Sequence, residues 1–336
     1  MRASSVQPWD WRKASAASSP ASPCLWFRRI IGLTFIMSVF QTAFFMFQKH
    51  LQKASDSVVG GTLYVVATPI GNLADITLRA LAVLQKADII CAEDTRVTAQ
   101  LLSAYGIQGK LVSVREHNER QMADKIVGYL SDGMVVAQVS DAGTPAVCDP
   151  GAKLARRVRE VGFKVVPVVG ASAVMAALSV AGVAGSDFYF NGFVPPKSGE
   201  RRKLFAKWVR AAFPVVMFET PHRIGATLAD MAELFSERRL MLAREITKTF
   251  ETFLSGTVGE IQTALSADGN QSRGEMVLVL YPAQDEKHEG LSESAQNIMK
   301  ILTAELPTKQ AAELAAKITG EGKKALYNLA LSWKNK

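Results

Sequence analysis

Cysteine is scarce in this sequence and is not arranged for metal binding. The three cysteines, Cys24, Cys91 and Cys148, form no CxxC pair and show no metal-ligand spacing. A zinc site needs Cys and His ligands at short, regular intervals, and disulfide-stabilised folds carry more cysteines. Cys91 and Cys148 lie within or just after apolar runs, which favours buried thiols. The sequence thus predicts a reduced, cytoplasmic protein without a metal site.

Phosphate-binding glycine motifs are absent as well. The first predicted strand is followed by ATPIGNL at residues 67–73, where a dinucleotide-binding fold would carry GxGxxG. No GxxxxGKS or GxxxxGKT segment follows any strand. These absences argue against NAD and ATP as ligands.

Long hydrophobic runs are missing except for Ile30 to Phe47, which follows Arg28 and Arg29. The run is close to the length that spans a bilayer, so it predicts a membrane anchor or an uncleaved signal. The alternative is that translation starts at Met46, because only a short polar lead-in then precedes the first strand. No cleavage site follows the run. We favour the start at Met46 and expect residues 1–57 to be a non-native or disordered extension, with no membrane association.

The net charge of +8 is concentrated near the N-terminus. Residues 1–57 carry a net +5, which leaves +3 for the remainder of the chain. A mildly basic body permits nucleic-acid binding but does not require it.

From Thr62 onward, short β-branched apolar runs alternate with amphipathic segments, a pattern typical of a mostly parallel α/β fold. The first series predicts strands at 63–68, 87–92, 111–114, 134–139 and 164–169. A second series predicts strands at 188–191, 215–219, 239–243 and 276–281. We expect an N-terminal α/β domain over 58–180 and a C-terminal α/β domain over 181–283. A polar linker then leads to a helix-turn-helix-like basic tail at 295–336, with helices predicted at 309–318 and 323–333.

Four of the first five strands end in polar, Gly/Pro-rich or charged loops. They read TPIGN, AEDTR, REHNE and SDAGTP. Parallel strands bring their carboxyl ends to one edge of the sheet, where ligands bind in open α/β folds. We therefore predict a ligand site there, with Asp141, Gly143 and Thr144 in its wall. Asp149 and Pro150 instead have the pattern of a helix N-terminus.

Eight motifs occur in a characteristic order. They are TPIGNLADITLRAL, ADIICAEDTR, SDAGTPAVCDPG, GASAVMAALSVAG, NGFVP, FETPHR, AREITKTFE and the GE pair at 274–275. In order and spacing they resemble the ribosomal RNA small subunit methyltransferase I group of the tetrapyrrole-methylase superfamily, over roughly 62–281 and the helical tail. One departure is Val169 before Gly170, where the family usually has proline.

The resemblance implies a two-domain, class III S-adenosylmethionine methyltransferase fold with a C-terminal helical tail. It also implies S-adenosylmethionine as methyl donor, a homodimer, and 16S rRNA or the small ribosomal subunit as substrate. The implied reaction is 2'-O-methylation of a decoding-centre (P-site) cytidine.

By resemblance, the donor lies between the two domains and contacts three segments. The implied contact residues are Pro69, Ile70, Gly71, Asp141, Gly143, Thr144, Ser172 and Ala173. The chemistry agrees, since the Asp141 carboxylate suits the ammonium or the ribose diol of the donor.

A ribose hydroxyl is weakly acidic, so a base or a cation would assist its methylation. Candidate bases are Glu93, Asp94, Glu116 and His117; candidate cations are Arg96, Arg244 and Lys248. We predict that Asp94 acts with Arg96 and that Lys248 orients the ribose. The alternative is that the charged residues form structural ion pairs.

Basic residues cluster at 194–210, in the PHR turn at 221–223 and in the tail. The predicted RNA contacts are Lys197, Arg201, Arg202, Lys203, His222, Arg223, Lys323 and Lys324. Solvated helix faces, and dimer packing of the tail, are the competing interpretations.

Two other functions are compatible with parts of the pattern. One is the same fold acting on a tetrapyrrole or a protein side chain, against which the basic loop and tail argue. The other is a membrane-tethered RNA-binding protein without catalysis, which depends on the apolar run at 30–47.

Overall fold

The computed structural model describes residues 41–283, 291 and 293–334. Two compact units divide the chain: Met1–Pro69 with Leu73–Ala171, and Ile70–Asn72 with Ser172–Lys336. The boundary after Ala171 lies earlier than the predicted one at residue 180. The predicted apolar run at 30–47 lies mostly outside the described residues. Within the part that is described, no helix has both the length and the apolar content to cross a membrane.

The first unit is built on a five-stranded parallel sheet. After helix α1 at residues 41–56, its strands are β1 (Thr62–Val66), β2 (Ile89–Ala92), β3 (Leu111–Ser113), β4 (Val135–Gln138) and β5 (Lys164–Val168), in the order β3-β2-β4-β1-β5. Every strand pair is parallel. All five predicted strands are thus confirmed, and their carboxyl ends lie at one edge of the sheet.

Helices cover both faces of this sheet. They are α2 (Leu78–Lys86), α3 (Thr95–Ala104), α4 (Glu119–Ser131) and α5 (Ala152–Glu160). Leu63 lies in one buried apolar cluster while its neighbour Tyr64 lies in another, because successive strand residues point to opposite faces. Burial on both faces explains why these strands are continuous apolar runs in the sequence.

The second unit begins with α6 (Ala173–Ala181) and contains a mixed sheet. Its strands and helices are β6 (Tyr189–Phe193), α7 (Ser198–Ala206), β7 (Val215–Glu219), α8 (Ile224–Phe235), β8 (Arg239–Arg244), β9 (Thr252–Thr257), α9 (Val258–Ala267) and β10 (Met276–Leu280). The strand order is β6-β7-β10-β8-β9, and only the β6–β7 pair is parallel. The sequence did not predict β9, since TFLSGT is half polar and lies at the sheet edge.

Three helices follow, where two were predicted. They are α10 (Glu293–Glu305), α11 (Thr308–Thr319) and α12 (Lys323–Lys334). Gly320, in the left-handed conformation with φ of 75°, ends α11. The helices enclose a small apolar core of Ala295, Met299, Ala311, Ala312, Ala315, Leu326 and Ala330.

The start of α5 corrects the prediction for Asp149 and Pro150. The N-cap residue is Gly151, with φ of 131°. A Cβ at Gly151 would lie 1.5 Å from the Gln138 side-chain nitrogen, so this close approach requires glycine. The buried Glu119 carboxylate of α4 accepts hydrogen bonds from the amides of Gly151 (3.0 Å) and Leu154 (2.9 Å). A side chain distant in sequence therefore does what a local cap was predicted to do.

We expect Glu119→Ala to lower the free energy of unfolding of the first unit by about 3 kcal/mol, because two amides lose a charged, buried acceptor. Glu119→Gln keeps one acceptor oxygen and should lose only about 1 kcal/mol. Urea unfolding followed by circular dichroism measures both changes. Glu160→Ala on the exposed side of α5 is the control, and a Glu119→Ala protein as stable as this control would contradict the assignment.

Candidate active site

Backbone and side-chain hydrogen bonds join the loops at the carboxyl edge of the first sheet. Thr68 and Gly143 exchange amide-to-carbonyl hydrogen bonds of 2.8 and 3.0 Å. The Asp94 amide donates to Oδ1 of Asp141 at 3.0 Å. The loops after β1, β2 and β4 are thus fixed to one another, as the parallel topology predicts.

The loops after β2, β3 and β4 line a cleft of about 780 Å³ within the first unit. Its carboxylates are those of Glu93, Asp94, Glu116, Glu119, Asp141 and Asp149, and its basic side chains are those of Arg96, Arg115, His117 and Lys153. Carboxylates outnumber the basic groups, so the cleft favours a ligand that carries positive charge.

The loop after β4, which contributes to the cleft, includes strained backbone. Ala146 and Cys148 have φ of 67° and 66°, values that residues other than glycine rarely adopt. Such conformations cost about 1–3 kcal/mol each and occur mainly at functional sites. They lie in the SDAGTPAVCDPG loop, which the sequence singled out.

Asp94 is occupied by structural contacts. Its carboxylate caps α3 by accepting from the Arg96 amide (2.9 Å) and pairs with the Arg96 guanidinium at 2.5 Å. These hydrogen bonds from Arg96 hold the pKa of Asp94 far below its usual range. A carboxylate of such low pKa is a weak proton acceptor. The structure therefore disfavours Asp94 as the base and supports the ion-pair interpretation for Asp94 and Arg96.

Glu93, the residue before Asp94, has surroundings that shift its pKa in the opposite direction. Burial, followed by the nearby charges of Asp149 and Asp141, raises its pKa. Burial also raises the pKa of Asp149, and Asp141 adds to that effect. Sequence reasoning named Glu93 as an alternative base but dismissed Asp149, because the Asp-Pro pattern resembles a helix start.

Lys248 of the second unit lies between two carboxylates. Its Nζ is 3.0 Å from Glu245 and 2.9 Å from Glu275. Although burial favours the neutral amine, these two ion pairs raise the pKa of Lys248. A Cβ at Gly71 would lie 2.4 Å from Cγ of Lys248, so Gly71 packs closely on this side chain. Structural ion pairs were the alternative given for the charged candidates, and Lys248 forms two of them.

The predicted donor residues divide between the units. Pro69, Asp141, Gly143 and Thr144 belong to the first, and Ile70, Gly71, Ser172 and Ala173 to the second. The Thr144 hydroxyl donates to the Ala171 carbonyl at 3.2 Å. The Ser172 hydroxyl oxygen caps α6 by accepting from the Met175 amide at 3.5 Å.

Arg201 is not available to RNA, which corrects its assignment. Its guanidinium, 5% exposed, pairs with Asp230 at 2.7 Å and donates to the Pro196 carbonyl, also at 2.7 Å. Trp208 is likewise buried in the apolar core. Charge and aromatic content alone do not distinguish such inward-facing residues from exposed ones.

Several other residues predicted to contact RNA form ion pairs within the protein. Arg223 pairs with the buried Glu219 at 3.2 Å and donates to the Val194 carbonyl. Arg202 pairs with Asp230 and Glu233. Lys323 pairs with Glu313 at 2.6 Å, and Lys197 with Glu200 at 3.5 Å. The remaining predicted contacts, Lys203, His222 and Lys324, are exposed.

Solved structures resemble this chain in fold. The chain is similar in fold to a structure of the methyltransferase CobJ (TM-score 0.51, 20% identity, 66% of this chain and 95% of that one). It is similar to a diphthine synthase as well (TM-score 0.50, 14% identity, 66% of this chain and 90% of that one). A family model described as Tetrapyrrole (Corrin/Porphyrin) Methylases matches residues 62–262. A second model, the RsmI C-terminal HTH domain, matches residues 289–334.

Curated relatives extend the similarity over most of the chain. A protein of Neisseria meningitidis serogroup A named ribosomal RNA small subunit methyltransferase I is 99% identical over 291 residues, 87% of this chain and all of that protein. Proteins of the same name are 44% identical in Pseudomonas aeruginosa (82% of this chain, 99% of that one) and 45% identical in Escherichia coli O157:H7 (84% and 98%). The chain therefore belongs to the tetrapyrrole methylase family and, within it, to the ribosomal RNA small subunit methyltransferase I group. This confirms the fold class and the methyltransferase class, and it supports S-adenosylmethionine as the methyl donor.

We expect Asp141→Ala to abolish measurable S-adenosylmethionine binding in calorimetry, because a charge-assisted hydrogen bond contributes about 1.5–3 kcal/mol. Asp141→Asn keeps an acceptor for the Asp94 amide, so it separates loss of charge from loss of the loop contact. Glu160→Ala serves as the surface control. Unchanged affinity in Asp141→Ala would refute the donor role.

Truncation of Arg201 should lower stability, whereas truncation of Lys203 should weaken RNA binding. Arg201→Ala leaves the buried Asp230 without its buried partner, and we expect the free energy of unfolding to fall by about 3 kcal/mol. Lys203→Ala should leave stability unchanged and weaken RNA binding, with a smaller salt dependence. Urea unfolding and filter binding at several salt concentrations test the pair; the reverse pattern would contradict it.

Proposed function

We propose that this protein methylates ribosomal RNA of the small subunit, at the ribose 2'-hydroxyl of a decoding-centre cytidine. The observation that carries the proposal is the similarity, over four fifths or more of the chain, to proteins named ribosomal RNA small subunit methyltransferase I. The choice of nucleotide and of the ribose oxygen comes from the motif resemblance.

The residues predicted to bind the methyl donor fit S-adenosylmethionine chemically. Asp141 is exposed in a cleft rich in carboxylates, and one of its oxygens accepts from the Asp94 amide. Its charge suits the cationic groups of the donor. When bound, the donor supplies an electrophilic methyl group. The protein then has to align the ribose hydroxyl, exclude water and receive a proton.

Exposed basic groups support a polyanionic substrate. Lys203 of α7, Lys207, Arg210 and His222 are exposed in the second unit, and Lys324 is exposed on α12. Buried networks fix the segment before α7, because Arg201 and Arg223 donate to carbonyls of residues 194–196. A fixed backbone presents cations at less entropic cost than a mobile loop does.

A tetrapyrrole or protein substrate is less well supported. The methyltransferase CobJ and the diphthine synthase are 20% and 14% identical to this chain, so they bear on the fold and not on the substrate. A small corrinoid has no need of the basic tail. The homodimer and the cytoplasmic location stay predictions.

Deleting the gene should remove one ribose methyl group from 16S rRNA. Mass mapping of nuclease fragments, followed by nucleoside analysis, locates the methyl group and distinguishes ribose from base methylation. A plasmid with the wild-type gene should restore it, whereas one with Asp141→Ala should not. An unchanged methylation pattern in the deletion strain would contradict the proposed function.

A further inference from the structure

Two adjacent carboxylates at the end of β2 have different surroundings. Both Asp94 oxygens accept from Arg96: Oδ1 from its amide and Nε, and Oδ2 from a terminal nitrogen. Glu93, which also lines the cleft, makes no ion pair within 41–283. Arg115 donates to the Glu93 backbone carbonyl at 3.3 Å and not to its carboxylate. Within 41–283, Glu93 therefore differs from Asp94 in lining the cleft without an ion pair, as Glu116, Asp141 and Asp149 also do. Glu93 and Asp149 are half-buried, whereas Glu116 and Asp141 are exposed.

The Glu93 side chain lies beside Asp141, the predicted donor-binding residue, whose backbone amide is close enough to influence its pKa. The Asp141 carboxylate accepts from the amide of Asp94, the residue after Glu93, at 3.0 Å. This hydrogen bond joins the ends of β2 and β4 and keeps Glu93 next to Asp141.

We propose that Glu93 is the group that accepts the proton of the substrate ribose hydroxyl, and that Asp94 with Arg96 positions the start of α3. The inference rests on the proposed ribose methylation. As the ribose oxygen bonds to the methyl carbon, the carbon–sulfur bond of the donor breaks and its electron pair stays on sulfur. The hydroxyl proton passes to a Glu93 carboxylate oxygen and is later released to solvent.

The charges around Glu93 suit this role. Burial, Asp149 and Asp141 raise its pKa, while the Asp141 amide and Arg115 oppose the rise. The other charged groups of the cleft are Asp94, Arg96, Glu116, His117, Glu119 and Lys153. A carboxylate of raised pKa is a stronger base than an ordinary one. The methylation rate should therefore increase with pH as Glu93 loses its proton, over a range above that of an ordinary glutamate.

The test compares Glu93→Gln, Glu93→Asp and Asp94→Asn in the full chain, with Glu160→Gln as a surface control. Single-turnover methyl transfer to small-subunit RNA is measured across pH, and S-adenosylhomocysteine affinity is measured by calorimetry. Glu93→Gln should slow transfer by about 100- to 10,000-fold and remove the acidic limb of the pH profile, with the affinity retained. Glu93→Asp should restore part of the rate, and Asp94→Asn should mainly lower Tm.

A readout independent of turnover is carbon-13 NMR of protein labelled at the glutamate carboxyl carbons. The signal that disappears in Glu93→Gln should titrate above the ordinary glutamate range. Titration at or below that range, a wild-type rate in Glu93→Gln, or an equal rate loss in a stably folded Asp94→Asn would each overturn the assignment. If the wild-type chain binds S-adenosylhomocysteine but methylates no small-subunit RNA, the proposed function fails and the assignment falls with it.

Discussion

Parallel pairing of β2, β4 and β1 is the constraint on which the candidate site depends. Because parallel strands end at the same edge, the strand pairing alone places the loops AEDTR, SDAGT and TPIGN next to one another. Two links then fix the edge: the Thr68–Gly143 backbone pair and the Asp94–Asp141 hydrogen bond. A one-residue slip of β4 would displace Asp141 and Gly143 along this edge and break both links.

The strands and this edge were predictable because buried parallel strands are short apolar runs and their loops carry the family motifs. Elements that depend on tertiary contacts were missed. Strand β9 is half polar and pairs at an edge, and α10 lay in a segment read partly as linker. The cap of α5 was assigned to Asp149 because local sequence suggests it, whereas the acceptor is Glu119, more than thirty positions away.

Residue type alone did not distinguish charged residues with a proposed role in function from charged residues that stabilise the fold. Arg201 and Lys203 stand two positions apart on α7, yet one is buried against Asp230 and the other is exposed. Glu93 and Asp94 are neighbours with pKa values shifted in opposite directions. In both pairs the difference arises from which side of the element faces a partner, information that a linear motif does not contain.

The core of α10, α11 and α12 has a consequence for the dynamics of the chain. Among the described residues, five of its seven fully buried members are alanines. Alanines let helices approach closely but remove little apolar area from water, at roughly 25 cal/mol for each Å² buried. The strands of the second sheet instead bury valine, leucine and methionine. Amide hydrogens of the three helices should therefore exchange with solvent through local openings that require less free energy than opening β8 or β10.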